Sequence, residues 1–260
     1  MCLTERINAM RENELTDFIL QIAEPLMKPA IALCAVGCAF WIIVYLIRVG
    51  IYKRSAYYRA TGNSYRSVMG DTGRYGEYLT GKELAGLGGS VFYNVYIPKR
   101  EGTTEADIVM VHPSGVYVIE SKNYSGRIYG GVEQPYWTQV LPRGKGRRAE
   151  KERFFNPIMQ NDLHVKYLKR YLGGDIPVYS YIVFSERCDL DRLMIDDDTV
   201  RLMKRSSLAR EIKRNISREG ARLDEETLGK IAEKLGACKA DAAVREEHIR
   251  EIRDRHGSRR

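Results

Sequence analysis

Asp107, Glu120 and Lys122 are the residues whose types and spacing point most directly to chemistry. Asp107 stands near the start of an apolar, β-branched run (ADIVMVH, 106–112), and Glu120 and Lys122 close a second one (VYVIESK, 116–122). Pro113, Ser114 and Gly115 between the runs are turn residues, so the two runs read as adjacent strands. With the turn placed at His112–Gly115, Val111 pairs with Val116 and Asp107 falls directly opposite Glu120. Opposed residues point to the same face, and Glu120 and Lys122, two apart, share it as well. Two carboxylates that close repel unless something positive lies between them. Lys122 supplies one charge, and a divalent cation would supply more. Mg²⁺ is commonly held by one or two carboxylates with several waters retained. A cation so placed readies a water for attack and stabilises charge developing on a phosphate. The plainer reading of the same spacing is a surface ion-pair cluster at a strand end.

The elements around this pair have local signals of their own. A helix is expected over 76–87, with Leu79, Leu84 and Leu87 as its apolar positions and Gly88-Gly89 as its stop. The β-branched and aromatic stretch 90–97 reads as a strand, and 127–132 and 136–141 as shorter ones. Asn156-Pro157 reads as an N-cap followed by proline at the first helical position. That helix runs to about Leu172, with Val165, Leu168 and Leu172 on one stripe. The apolar run 178–184 is a further strand, and 199–203 another candidate. Near the C-terminus Leu228, Ile231, Ala232 and Leu235 follow Asp224 at helical spacing. The stretch 143–153 reads as a charged loop. Its cations Arg143, Lys145, Arg147, Arg148 and Lys151 suit either a phosphate-tracking surface or a solvated excursion.

Upstream, residues 29–47 (PAIALCAVGCAFWIIVYLI) carry no charge and are bounded by Lys28 and Arg48. About 20 apolar residues suffice to cross a bilayer core. Pro29 is expected at the helix start, and Trp41 and Tyr45 toward the Arg48 end fit an interfacial anchor. The acidic leader and the length of the run argue against a cleaved signal peptide. Arg48, Lys53, Arg54, Arg59 and Arg66 follow the run with no acid before Asp71. The positive-inside rule therefore places the C-terminal part in the cytoplasm and the N-terminus outside. The expected organisation is an extracytoplasmic segment 1–28, a transmembrane helix 29–47 and a basic juxtamembrane linker 48–69. A compact domain of mixed helices and strands, 70–203, and a helical tail, 204–260, follow. Unpaired Cys188 and Cys238 suit a reducing compartment.

Composition narrows the field further. The chain has 260 residues, 44% of them apolar, with a formal net charge of +8. These values exclude collagen, low-complexity disorder and a disulfide miniprotein. The mean hydropathy of −0.38 excludes a polytopic membrane protein but allows a single span. The basic balance favours an acidic partner, nucleic acid or an anionic lipid surface. No phosphate-binding G-x-x-x-x-G-K-[ST] loop occurs, and the four histidines lack a metal-ligand spacing such as H-E-x-x-H.

From Gly76 to about Phe184 the chain resembles the nuclease-related domain family, a branch of the PD-(D/E)xK nuclease superfamily. The resemblance rests on Gly76-Glu77, Asn94-Val95, Pro98 and Asp107-Ile108-Val109. It continues through 115–126 (GVYVIESKNYSG), Trp137 and Asn156-Pro157-x-x-Gln160. It implies an α/β, restriction-endonuclease-like mixed sheet flanked by helices, here preceded by one transmembrane helix and followed by a helical tail. It also implies Asp107 and Glu120 as ligands of Mg²⁺ or Mn²⁺. Lys122 would orient the attacking water or neutralise the scissile phosphate. Glu77 would be the accessory acid, and Gln160 would position substrate. Gly81 departs from the family pattern, and Glu83 competes with Glu77 for the acidic role.

The expected activity is metal-dependent phosphodiester hydrolysis on a membrane-anchored protein. DNA is the first expectation for the substrate and RNA the second, and the sequence assigns no oligomeric state. The alternatives are a non-catalytic nucleic-acid-binding module and a membrane-tethered scaffold, both on the same fold.

Overall fold

Leu, Glu, Arg and Met crowd the first 24 residues, all good helix formers. The helix they begin runs past both of its prolines. In this computed structural model, which describes residues 3–142, 148–195 and 200–238, α1 spans Leu3–Lys53 with Pro25 and Pro29 inside it. Pro29 is therefore not the helix start expected from the sequence. It lies four residues after Pro25 and lacks the N–H that would bond the Pro25 carbonyl, a local loss the long helix absorbs. The stretch Met27–Lys53 holds an 18-residue segment of mean hydropathy 2.6 and is long and apolar enough to span a membrane.

From Ser55 onward the chain forms a second unit. Ser55 caps α2 (Ala56–Thr61) and Ser64 caps α3 (Tyr65–Met69), each hydroxyl accepting a backbone N–H of the first turn. Tyr57 and Val68 are buried. The stretch 48–69, expected as a basic juxtamembrane linker, is thus mostly helical. Helices of five or six residues are too short to show a period, and tertiary packing holds them. Asp71 then caps α4 (Thr72–Leu84), accepting the Arg74 N–H at 2.9 Å. This helix begins four residues before the expected start and ends before Gly88-Gly89, at Ala85.

Strands β1 (Ser90–Pro98), β2 (Thr103–His112) and β3 (Gly115–Lys122) follow as an antiparallel meander. Val111 pairs with Val116 and His112 with Gly115, as the turn residues require. Next come β4 (Gly126–Gly131), β5 (Tyr136–Leu141) and β6 (Glu150–Phe155). After them α5 (Pro157–Leu172) starts on the Asn156 cap, whose side chain accepts the Ile158 N–H. Strands β7 (Val178–Phe184), β8 (Cys188–Asp189), β9 (Leu193–Met194) and β10 (Leu202–Lys204) lead into α6 (Arg205–Glu219) and α7 (Glu225–Ala237).

The main sheet has the order β1-β2-β3-β7-β10, with β3, β7 and β10 mutually parallel. Helices α5 and α7 pack against one face, and α4 and α6 against the other. On the first face Val95, Ile97, Val109 and Val118 meet Leu168 and Leu172 of α5 and Ile231 and Leu235 of α7. Each such side chain contributes about 1.5–3 kcal/mol by leaving water. The C-terminal helices are therefore part of the core rather than an appended tail. The Tyr96 N–H donates to the Cys238 carbonyl at 2.9 Å, tying the end of α7 to β1.

A second sheet, β6-β5-β4-β8 with β9 beside β4, is anchored by Trp137. The indole lies near-parallel to Phe184 of the main sheet and donates its N–H to the Gly131 carbonyl at 3.0 Å. Residues 150–153, expected in a loop, belong to β6, where Lys151 pairs with Val140. This is an edge strand of alternating charges with almost no buried face, so it lacked an apolar alternation to read.

Candidate active site

The site forms where the main sheet comes apart. Pairs Tyr93↔Ile108 and Val95↔Ala106 set Asn94 opposite Asp107. Pairing of β2 with β3 runs from His112↔Gly115 as far as Ile108↔Ile119 and stops one step before Asp107 and Glu120. Instead of continuing the ladder, the backbone N–H of Ser121 donates to Asp107 Oδ2 at 2.8 Å. On the other side of Asp107, Asn94 has φ +50°, the left-handed region. Asparagine tolerates this conformation better than most residues. Its amide donates to Glu77 Oε2 at 3.1 Å, and the Tyr57 hydroxyl donates to the same oxygen at 3.1 Å. Helix α4 is thereby held against the gap between β1 and β2. Gly76 permits the close approach at its other side, because a Cβ there would lie 2.5 Å from Cβ of Asn123.

Glu120 is buried and lies between two cationic or polar neighbours. Lys122 Nζ is 2.6 Å from Glu120 Oε1, and His164 Nε2 is 3.3 Å from Oε2. Neither contact is aligned as a hydrogen bond, so both carboxylate oxygens lack a directional partner. Lys122 also donates to Gln160 Oε1 at 3.0 Å, and His164 Nδ1 lies 3.0 Å from Thr104 Oγ1. Gln160 and His164 are one turn apart on α5. Between them Asn161 fastens the helix to the sheet, donating to the Val118 carbonyl at 3.1 Å and to Ser180 Oγ at 2.8 Å.

The electrostatics divide the carboxyls sharply. Burial, then the charges of Glu120 and Glu77, push Asp107 well above the usual carboxylate range, against Lys122 and the Ser121 N–H. Burial also opposes ionisation of Glu120, but Lys122 and His164 outweigh it and hold Glu120 down at about 2. Lys122 is disfavoured by burial, yet Glu120 and Asp107 raise it above its ordinary value. Glu77 is raised, chiefly by burial, with Asn94 and Tyr57 pulling the other way.

Residues 72–185 match the family model of the nuclease-related domain. This segment is similar to that family. The chain is also 33% identical, over 127 residues, to an uncharacterized protein of Bacillus anthracis, covering 47% of this chain and 57% of the relative. It thus spans little more than half the length of that relative. No solved structure matches.

Asp107, Glu120, Lys122, Glu77 and Gln160 all lie within the matched segment, and the structure brings them together. Glu77 rather than Glu83 faces the gap. Six helical residues separate them by about 120° around the axis, and Glu83 instead influences Arg205. Gly81, the departure from the family pattern, packs against the Tyr93 ring, where a Cβ would collide. Of the cations expected to meet nucleic acid, Arg143, Lys145 and Arg147 lie outside the described residues. Arg148 and Lys151 are exposed.

His164, Thr104 and Asn94 were not singled out from the sequence as site residues. The spacing Gln160-x-x-x-His164 was the available signal for the histidine, since residues four apart share a helix face. Nothing local announced Thr104, whose relation to His164 crosses 60 residues.

Proposed function

We propose that this protein is a divalent-metal-dependent nuclease that hydrolyses phosphodiester bonds, with DNA as its substrate, and is anchored to a membrane by α1. The observation that carries the reading is the break in the β2–β3 ladder. It leaves Glu120 with two buried oxygens that lack aligned donors. The donor set fits Mg²⁺ or Mn²⁺. Asp107 and Glu120 are hard oxygen ligands, and Asp107 Oδ1 has no hydrogen-bond partner among the described residues. Among the described residues no three His, Cys, Asp or Glu side chains are placed to hold a metal ion together, so the protein would offer two ligands. Two carboxylates with waters completing the shell are the arrangement Mg²⁺ favours.

Asp107 and Glu120 would hold the cation, which when bound supplies an activated water and neutralises charge on the phosphate. Lys122 keeps its proton, because its two carboxylate neighbours favour the ammonium. It therefore acts as a fixed positive donor rather than a base. Gln160 accepts one of its protons and Glu120 lies beside it as an ion-pair partner, leaving donor capacity for the attacking water or a phosphate oxygen. Gln160 fixes the Lys122 rotamer, and His164 with Thr104 fixes that of Glu120. Glu77, steadied by Asn94 and Tyr57, adds negative charge beside Asp107 and strengthens the hold on a cation. The basic residues after the span support a cytoplasmic placement of this unit at the cell membrane.

The test uses the full chain in detergent with plasmid DNA, Mg²⁺ or Mn²⁺, and then chelator. Metal-dependent cutting that Lys122→Ala and Asp107→Ala both abolish is the expected result. An absence of cutting with no metal bound would leave a nucleic-acid-binding module or a scaffold. Cutting that survives both substitutions would place the site elsewhere.

A further inference from the structure

A second cluster lies on the opposite face of the same strand end. Lys122 is followed by Asn123, whose side chain is buried beneath α4 and donates to the Thr72 carbonyl at 2.8 Å. Two guanidinium groups converge on it. Arg205 Nη2 donates to Asn123 Oδ1 at 3.2 Å, and Arg187 Nη2 donates to the Asn123 carbonyl at 3.0 Å. Arg205 is 7% exposed, and its Nε donates to Thr80 Oγ1 at 3.2 Å. Its Nη1 has no protein acceptor among the described residues. No carboxylate among them lies within ion-pair distance of either arginine.

A buried, unpaired guanidinium is costly. Burial accordingly pulls Arg205 below its ordinary value. Two acids line the same cavity, but both are committed elsewhere. Asp71 caps α4 through the Arg74 N–H, and Glu186 Oε1 accepts the Ser206 N–H at 2.7 Å in the first turn of α6. The cavity between them measures about 380 Å³ and is lined by Arg187, Arg205, Asn123 and Tyr75 among others. Asn123, Ser185 and Arg205 each directly follow a strand of the parallel trio β3, β7 and β10. The carboxyl ends of parallel strands are where open α/β sheets take their ligands.

We propose that this cavity is a phosphate subsite in which Arg205 and Arg187 hold a phosphate of the nucleic-acid strand, flanking the one that is cut. The assignment to a strand rests on the nuclease reading. Guanidinium groups suit phosphate because their planar forks meet its oxygens two at a time. Asn123 is the joint between the two sites. Its backbone continues from Lys122 on one face, and its side chain positions both arginines on the other.

The test has two arms, both on the full chain in detergent. In the first, inorganic phosphate is titrated by calorimetry in the presence of EDTA. The wild type and Asp107→Ala should bind alike. Arg187→Ala, at an exposed position that should leave the thermal midpoint in place, should bind about tenfold more weakly or worse. Arg205→Met should lose binding, but its buried partners make Arg187→Ala the deciding variant. No binding by the wild type, or equal binding by Arg187→Ala, overturns the site. In the second arm, Arg187→Ala should raise KM for DNA more than it lowers kcat. It should also reduce the salt dependence of DNA binding by about one phosphate contact. An unchanged KM and salt slope would leave an anion site that serves no strand and overturns the subsite. A wild type that binds phosphate yet cuts no DNA would fail the nuclease reading and with it the strand assignment, while the arginine pocket itself would stand.

Discussion

The two faces of the β3 carboxyl end differ in sign. On the α5 face, Glu120 and Lys122 stand with Asp107 in a cluster whose carboxylates exceed its cations. On the α4 and α6 face, the next residue along, Asn123, gathers two arginines with no carboxylate partner. Alternation along a strand sends neighbours to opposite faces. One short segment, Glu120 to Asn123, therefore borders one place where carboxylates outnumber cations and one where two guanidinium groups have no carboxylate paired to them. A metal ion and a phosphodiester chain are complementary to that pair.

The largest expected effect separates the two faces. Asp107→Ala or Lys122→Ala should lower cutting by at least about 10²-fold, as loss of a group that stabilises transition-state charge does. Phosphate binding in EDTA should be unchanged, and parallel loss of both functions would show that the faces are not independent. Next, His164→Ala removes the neighbour of Glu120 Oε2. It should weaken Mn²⁺ binding about 10–100-fold, the usual cost of losing a residue that orients a metal ligand. Paramagnetic resonance of free Mn²⁺ reads this directly, and an unchanged affinity would remove His164 from the site.

Gly76→Ala attacks the shared joint. The added methyl meets Asn123, so denaturant unfolding should show about 1–3 kcal/mol of lost stability, with both binding functions weakened together. A stable variant that loses neither would mean that Asn123 shifts freely. The smallest effect is a pH dependence. Glu77 is raised in the folded protein, so folding holds its proton more tightly than the unfolded chain does. Its destabilising contribution is absent below the ordinary glutamate range and grows as pH rises through the raised value. Glu77→Gln should therefore raise the thermal midpoint at neutral pH and lose that advantage in acid. A pH-independent difference would contradict the burial that raises Glu77.

Much of the α5 face was legible in the sequence. The turn 112–115 fixed the register, and the register set Asp107 opposite Glu120. Asn156-Pro157 placed the start of α5, and hence Gln160. The opposite face was not legible in this way. Arg205 is 82 residues from Asn123, and a buried arginine looks in sequence like any surface one. Asn94 in the left-handed region was hidden because asparagine is also ordinary in a strand turn. Helices α2 and α3 are too short and too polar to carry a period. In each case the missing information was a contact between distant segments, which local pattern does not encode.

The docking of α7 against β1 bears on how the protein can be handled as a fragment. A clone trimmed to the matched stretch 72–185 would delete Ile231 and Leu235 and uncover Val95, Ile97 and Ala106. That bare apolar strip, next to an open strand edge, is an invitation to self-association. The smallest piece that behaves in solution should begin near Ser55 and end no earlier than Cys238, well outside the limits by which the family is recognised.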